Sequence, residues 1–430
     1  VGFNPSPLPS FALPDGPVTL DNLIIPGPLI GASQPLVSTS LTMRDGVFSE
    51  VPADTRIDMG GRLALPAFVD MHTHLDKGHI WPRKPNPDGS FPGALGAVGE
   101  DRTANWSAGD VRARMVFALE CAYAHGTKAV RTHLDSIAPQ HEISFKVFEE
   151  LRADWKGRID LQAVSLVGAD SVEADGEGSY KSVADVTQSA GGALGYVPYP
   201  MPDIDARIEN FIAIAQARDM QADLHVDETG DPTVNTLKTI AQSVIKLGFD
   251  RPVVCGHCCS LAVMDESEAD RTMDLVAQAG IHIVSLPMCN LYLQDRTGGN
   301  RTPRWRGVTL VHELKSRGVK VSFASDNTRD PFYAYGDLDM VEVMREATRI
   351  AHLDHSGGDW VKAFTTTPAS VCNFDYAPFA NGSPADMVLF KARSWNEFFS
   401  RPQMDRTVIR DGAILDNPLP DYASLDALME

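Results

Sequence analysis

Leu65-Pro66-Ala67-Phe68-Val69-Asp70-Met71-His72-Thr73-His74-Leu75-Asp76 is the stretch whose reading decides the fold. An apolar run of strand length leads directly into a His-x-His pair. Side chains two apart on a strand share a face, so His72 and His74 point the same way. Two imidazoles held side by side on a rigid strand end make half of a divalent metal site. Taken alone the pair is a weak signal, because a buried histidine is more often a hydrogen-bonded core residue than a ligand. Its weight comes from what recurs downstream.

Outward from this strand, short apolar stretches alternate with segments of helical period from about residue 65 to 375. Strands are expected over 67–74, 128–135, 160–167, 192–198, 221–228, 252–259, 281–290 and 319–326. Helices are expected over 108–125, 142–155, 204–219, 234–247, 266–279, 308–317 and 340–352. Continuous apolar strands, each followed by an amphipathic helix, imply parallel pairing with the helices outside. Eight such units make a (β/α)8 TIM-like barrel. Residues 1–64 are rich in Pro and Gly, with short β-like runs such as Asn22-Leu23-Ile24-Ile25 and Ser40-Leu41-Thr42-Met43. Residues 376–430 return to β character around Met387-Val388-Leu389-Phe390 and Thr407-Val408-Ile409. The predicted fold class is therefore α/β: a barrel over 65–375 with a small β-sandwich built from 1–64 and 376–430.

The composition bounds the partners. The chain has 430 residues, 43% of them hydrophobic, enough to bury a large core. Its net charge of −19 speaks against nucleic acid and against an anionic membrane surface. No run of eighteen apolar residues is present, so no membrane partner is expected. Val1–Pro5 lacks the charged and apolar pattern of a leader. The six cysteines are scattered and do not read as a disulfide framework, which suits the cytoplasm. Cys255 and Cys258 form a C-x-x-C, read here as small apolar residues on a buried strand.

In barrels, reactive groups sit at the C-terminal ends of the strands. Strand 1 ends in His72-Thr73-His74, strand 5 in His225-Val226-Asp227-Glu228, strand 6 in Gly256-His257, and strand 8 in Ser325-Asp326-Asn327. Each has an ordinary reading; an Asp at a strand end often caps a helix. Their joint occurrence at four strand ends points to metal-dependent chemistry.

With these residues in view, the chain resembles the metal-dependent amidohydrolases, and within them the cytosine deaminases. The resemblance spans nearly the whole chain. It rests on His72-Thr73-His74-Leu75-Asp76, Val130-Arg131-Thr132-His133-Leu134-Asp135, His225-Val226-Asp227-Glu228, His257, Pro287–Gln294, Ser325-Asp326-Asn327 and Asp330-Pro331-Phe332-Tyr333. It implies His72, His74, His225 and Asp326 as ligands of one divalent metal ion, Zn2+ or Fe2+, with a position left for water. A water so bound loses a proton near neutrality. The resemblance makes Glu228 the proton shuttle, His257 a hydrogen-bonding partner of the hydroxide, and Asp326 a ligand that also accepts the water's proton. Members with two metals often carry a lysine at the end of strand 3 or 4. Neither 160–167 nor 192–198 contains one, which favours one metal. Lys77 is read as a loop residue or ion-pair partner, and His133 as a neighbour of the ligands.

The chain departs from the cytosine deaminase pattern where substrate is read. Gly168 stands where those enzymes place a glutamine, Asn327 replaces a carboxylate, and Phe332 replaces a tryptophan. Gly168, Asn290, Asn327 and Phe332 are the expected substrate contacts. A long Gly- and Pro-rich loop over 82–105 and an acidic loop over 169–181 are expected to finish the pocket. The predicted function is release of ammonia from an aminated N-heterocycle, cytosine or a close analogue first, by a protein that acts on a small molecule and associates as a homo-oligomer. The alternatives are a pterin, creatinine or N-alkylammelide-type triazine ring, ring-opening hydrolysis of a cyclic amide, or a non-catalytic scaffold on the same fold. The scaffold reading ranks last because His72, His74, His225, Glu228, His257 and Asp326 are all present.

Overall fold

In the computed structural model, which describes residues 11–296 and 301–430, the apolar run Phe68–Thr73 forms strand β1, every residue of it buried. The leader reading of Val1–Pro5 and the first ten residues of the terminal segment lie outside the described residues. The parallel strands that follow are β2 (Thr127–Asp135), β3 (Asp160–Leu166), β4 (Leu194–Tyr196), β5 (Ala222–Val226), β6 (Val253–His257), β7 (His282–Ser285) and β8 (Val321–Phe323). Strands β1 to β3 pair as one parallel sheet and β4 to β8 as another. Isolated parallel bridges stand at both junctions: Val164 with Ala193 and Gly168 with Val197 between β3 and β4, and Thr73 with Asp326 between β1 and β8. The ladder thins at β4 because its backbone lies very close to β3. A Cβ at Gly195 would fall 1.7 Å from the Ser165 carbonyl oxygen, so only glycine fits there.

Helices follow the strands and cover them. They are α1 (Phe91–Asn105), α2 (Ala108–Ala124), α3 (Gln140–Asp154), α4 (Tyr180–Ser189), α5 (Ile204–Ala217), α6 (Thr236–Leu247), α7 (Glu266–Ala279), α8 (Pro287–Leu293), α9 (Val311–Ser316) and α10 (Met340–Ala351). Their ends follow local chemistry. Asn235 caps α6 by accepting from Lys238 N, and Gly248 closes it in the left-handed conformation. Asp265 and Gly280 do the same for α7. The apolar faces meet the strands in a continuous core that includes Phe211, Ile240, Met273, Phe323 and Phe364.

Three sequence expectations change here. Residues 82–105 are not one long loop: Ser90 accepts from Gly93 N and starts α1. Gly93, Gly96 and Gly99 hid that helix by lowering its propensity. At Gly93 a Cβ would meet Asp88 and Asn86 side-chain oxygens at 2.1 and 2.8 Å, so any larger residue would push those side chains aside. The seventh strand stops at Ser285, and Pro287 opens α8, so Asn290 sits on a helix rather than a strand. Proline supplies the preset φ of a first helical turn and cannot extend a ladder. The terminal segments do pair with each other, but as a single eight-stranded sheet rather than two facing sheets. Leu63–Pro66 pairs antiparallel with Met387–Phe390 and runs through Ala67 into β1. This ties the start of the His-x-His stretch to a sheet whose core includes Leu20, Met43, Met59 and Ile409.

All six cysteines are free and buried, and burial raises the Cys255 and Cys258 thiols well above their ordinary range. No helix among the described residues is long and apolar enough to cross a membrane.

Candidate active site

His72 and His74, at the end of β1, turn their Nε2 atoms toward one point. His225 Nε2, near the end of β5, lies 3.1 Å from His72 Nε2 and 3.2 Å from His74 Nε2. Asp326 Oδ1, just past β8, lies 3.5 Å from His72 Nε2 and 3.2 Å from His74 Nε2. Four buried lone-pair atoms at such spacing repel unless a cation sits among them. Tetrahedral ligands at about 2.0–2.1 Å from a metal stand about 3.3 Å apart, so the donor set fits one divalent ion. Both Asp326 oxygens are buried, and among the described residues only the weak Cys289 thiol approaches them as a donor, as suits a carboxylate kept for a metal. Burial holds His72, His74 and His225 well below the ordinary histidine range, in the neutral form that ligates. Burial likewise lifts Asp326 to about 7.

The backbone around this point is specialised. A Cβ at Gly256 would stand 3.1 Å from His72 Cε1, so the missing side chain makes room for that imidazole. His257 and Asp326 adopt φ of 68° and 65°, a left-handed conformation that aims strand-end side chains at the centre. Asp326 N donates to His72 O at 2.9 Å, and Ser325 N and Oγ both donate to Asp70, which pins β8 to β1 beside the ligands.

A second group stands at the ends of β5, β6 and β7. Asn290 Nδ2 donates to Glu228 Oε1 at 3.2 Å and to His257 Nδ1 at 2.9 Å. Because His257 Nδ1 accepts, its Nε2 carries the ring hydrogen. That atom is buried without a partner among the described residues. A His257 ring nitrogen lies within 4.8 Å of ligand atoms of His72, His225 and Asp326. Burial first, and then the nearby Asp326, raises Glu228 well above the ordinary carboxyl range, while Asn290 and Lys77 act the other way. A carboxyl shifted upward in this way is better suited to carry a proton between groups.

The structure thus brings His72, His74, His225, Asp326, Glu228 and His257 together, with Asn290 placed to orient two of them. The remaining expected residues fall differently. Asn327 is buried, but its Nδ2 donates to Asp330 at 2.7 Å and its Oδ1 faces Cys289 Sγ at 3.8 Å. Phe332 packs edge-on against Phe91 of α1 and lies under the Lys77 ammonium. At Gly168 a Cβ would meet Asp170 and Tyr199, so the end of β3 presents no amide. Lys77 is an ion-pair partner rather than a solvated loop residue, 3.4 Å from Asp135. His133 packs on His72 at a ring separation of 4.1 Å, and its Nε2 lies 3.2 Å from Asp223, which also takes Arg131 at 2.8 Å. The Arg131–Asp223 pair was the unread signal for that support: a charged residue of each sign in the middle of an apolar strand must find a partner inside.

The sequence profile of the Amidohydrolase family matches residues 121–416. The chain belongs to that family. Among curated amidohydrolase relatives, the pterin deaminase of Rhizobium rhizogenes is 55% identical over 93% of this chain and 92% of its own. The N-isopropylammelide isopropyl amidohydrolase of a Pseudomonas species is 25% identical over 66% of this chain and 68% of its own. Among solved amidohydrolase structures, 5-methylcytosine deaminase from Klebsiella pneumoniae, with 5-fluorocytosine, superimposes with a TM-score of 0.79. It is 22% identical, with 94% of this chain and 98% of that one covered, a likeness that establishes the α/β TIM-like barrel fold.

Proposed function

We propose that this amidohydrolase is a metal-dependent deaminase that hydrolyses the exocyclic C–N bond of a 2-amino-4-oxopteridine. The observation that carries the ring is the 55% identity, over nearly both full lengths, to a protein named pterin deaminase. Cytosine gives way to the pteridine as lead substrate, in keeping with the absence of a side chain at Gly168.

His72, His74, His225 and Asp326 hold the ion, Zn2+ or Fe2+. When bound, such an ion lowers the pKa of its water to about 7 and supplies a nucleophile without a strong base. Glu228 delivers one proton to the ring nitrogen beside the aminated carbon, then takes up a second from the adding water and delivers that one to the departing nitrogen, which leaves as ammonia. Asn290 holds the Glu228 carboxyl in place for both transfers. The His257 Nε2–H donates to oxygen as negative charge develops at the attacked carbon. Water adds its oxygen to the carbon and its two hydrogens go to the ring and the amine, so ring–NH2 and water become the ring carbonyl and ammonia. The division into a barrel over 65–375 and a terminal unit over 1–64 and 376–430 belongs to the same reading, with the chemistry confined to the barrel.

Ammonia release by metal-loaded protein on pterin, cytosine and creatinine tests it, with alkylamine release followed on an N-alkylammelide in parallel. The proposal expects turnover of pterin to exceed the others. Turnover of another ring with none of pterin would overturn the substrate, and hydrolysis of pterin without ammonia would overturn the reaction.

A further inference from the structure

We propose that Lys77 is a substrate-binding residue, donating to the ring carbonyl oxygen one nitrogen away from the aminated carbon, a contact that Gly168, having no side chain, does not supply. The inference deepens the deaminase reading and rests on it.

The placement comes first. Lys77 follows His74 by three residues. Its Nζ lies 3.4 Å from Asp135 Oδ1 at the end of β2 and 4.9 Å from the Phe332 ring centroid in the segment after β8. The side chain is 7% exposed. Glu228, His257 and Asn290 stand at the ends of β5, β6 and β7. In the order of the strands, the acid and the ammonium therefore flank the metal-binding histidines from two sides. A 2-amino-4-oxo ring has matching asymmetry. Its aminated carbon sits between two ring nitrogens, one of which adjoins the carbonyl. With Glu228 protonating on one side, the carbonyl oxygen falls on the other.

Two polar side chains on that other side are already engaged with carboxylates. Asn327 Nδ2 is committed to Asp330, and Arg102 Nη1 to Asp135 Oδ2 at 2.8 Å. Arg102 thereby shares the carboxylate that would otherwise neutralise Lys77. The ammonium carries three donors and faces one carboxylate oxygen at long range, which leaves capacity for an acceptor. The Phe332 face steadies it without using a hydrogen. Burial works against its charge, but Asp135, Asp330, Asp76 and Asp326 outweigh that and raise Lys77 above its ordinary value. A charged donor at a carbonyl oxygen discriminates strongly against a ring that lacks the oxygen. The rival role is structural: Lys77 merely offsets those four carboxylates.

The two roles separate on paired substrates. Metal-loaded wild type, Lys77→Met and Lys77→Arg are compared on 2-amino-4-oxopteridine and on 2-aminopteridine, with metal content and Tm measured for each protein. The inference expects Lys77→Met to lower kcat/KM on the 4-oxo ring about 10- to 100-fold, mainly through KM. The ring without the oxygen stays within about threefold, metal content is unchanged, and Lys77→Arg recovers part of the loss. Equal loss on both rings, or none on either, would overturn it. Should Lys77→Met not fold, Lys77→Arg and the wild type decide: the wild type must prefer the 4-oxo ring, and Lys77→Arg must narrow that preference. A wild type that releases ammonia from neither ring brings down the pteridine reading itself, a different result from a working wild type whose Lys77 variants lose both rings alike.

Discussion

The two sides of the candidate site treat charge in opposite ways. Around β5, β6 and β7, one carboxyl, Glu228, is buried beside a neutral imidazole and an amide, and it holds its proton well above the ordinary range. Around β1, β2 and the segment after β8, Asp76, Asp135 and Asp330 are also buried; burial lifts Asp76 to about 7 and Asp330 to about 6, and only Asp135 escapes that lift. Asp135, with two cations on it, is held below its ordinary value despite burial. A buried carboxyl therefore becomes a fixed counter-charge where two cations meet it, as at Asp135, and keeps a movable proton where its neighbours are a neutral ring and an amide, as at Glu228. Proton transfer needs an isolated acid; binding a neutral polar ring needs an unspent donor.

The largest effect should come from removing what the two sides share. His225→Ala takes away a ligand, and we expect metal content to fall with activity, by about 10^4-fold or more, when metal analysis and ammonia release are run on the same preparation. A His225→Ala protein that kept both would detach the histidine cluster from the chemistry. Next, Asn290→Ala should cost about 10- to 100-fold in kcat with metal retained, since it releases Glu228 and His257 together. Adding Glu228→Gln to Asn290→Ala should then cost less than it does in the wild type, whereas full additivity would show that Asn290 acts elsewhere.

The smallest effect lies outside both sides, and concerns stability. His79 and His282 are buried with neither ring nitrogen hydrogen-bonded, and burial pulls each down to about 3. Unfolded, each takes up a proton near 6.5; folded, neither does until far lower pH. Their stabilisation of the fold is thus complete above about pH 6.5 and is lost as pH falls toward 3, by up to about 1.4 kcal/mol per pH unit for each. Urea melts at pH 7 and pH 5 should show His79→Phe and His282→Phe less acid-sensitive than wild type. Parallel curves would mean that other groups set the acid limit.

Much of this was legible in the sequence because it was periodic or sat at strand ends. His72, His74, His225, His257 and Asp326 each follow an apolar run; alternation places His72 and His74 together, while left-handed turns aim His257 and Asp326. What was missed depends on neighbours distant in the chain. Three glycines concealed α1, although Ser90 capped it. Pro287 ended a strand that apolar content alone carried on to Asn290. Lys77 read as a loop residue or an ion-pair partner, and nothing within its own segment chooses between the two or reveals that Asp135, 58 residues on, and Phe332 enclose it. The terminal segments announced strands, but a two-sheet sandwich and one continuous sheet share the same local pattern, and only the pairing of Leu63–Pro66 with Met387–Phe390 decides between them.

The contrast between the two sides stands or falls on Glu228. The measurement is ammonia release from pterin by metal-loaded Glu228→Gln, with metal content and Tm taken on the same sample. The isolated-acid account predicts metal and fold at wild-type levels and turnover lowered by about a thousandfold or more, because glutamine keeps the Asn290 contact but carries no movable proton. Turnover near wild type in a metal-replete Glu228→Gln protein would contradict it.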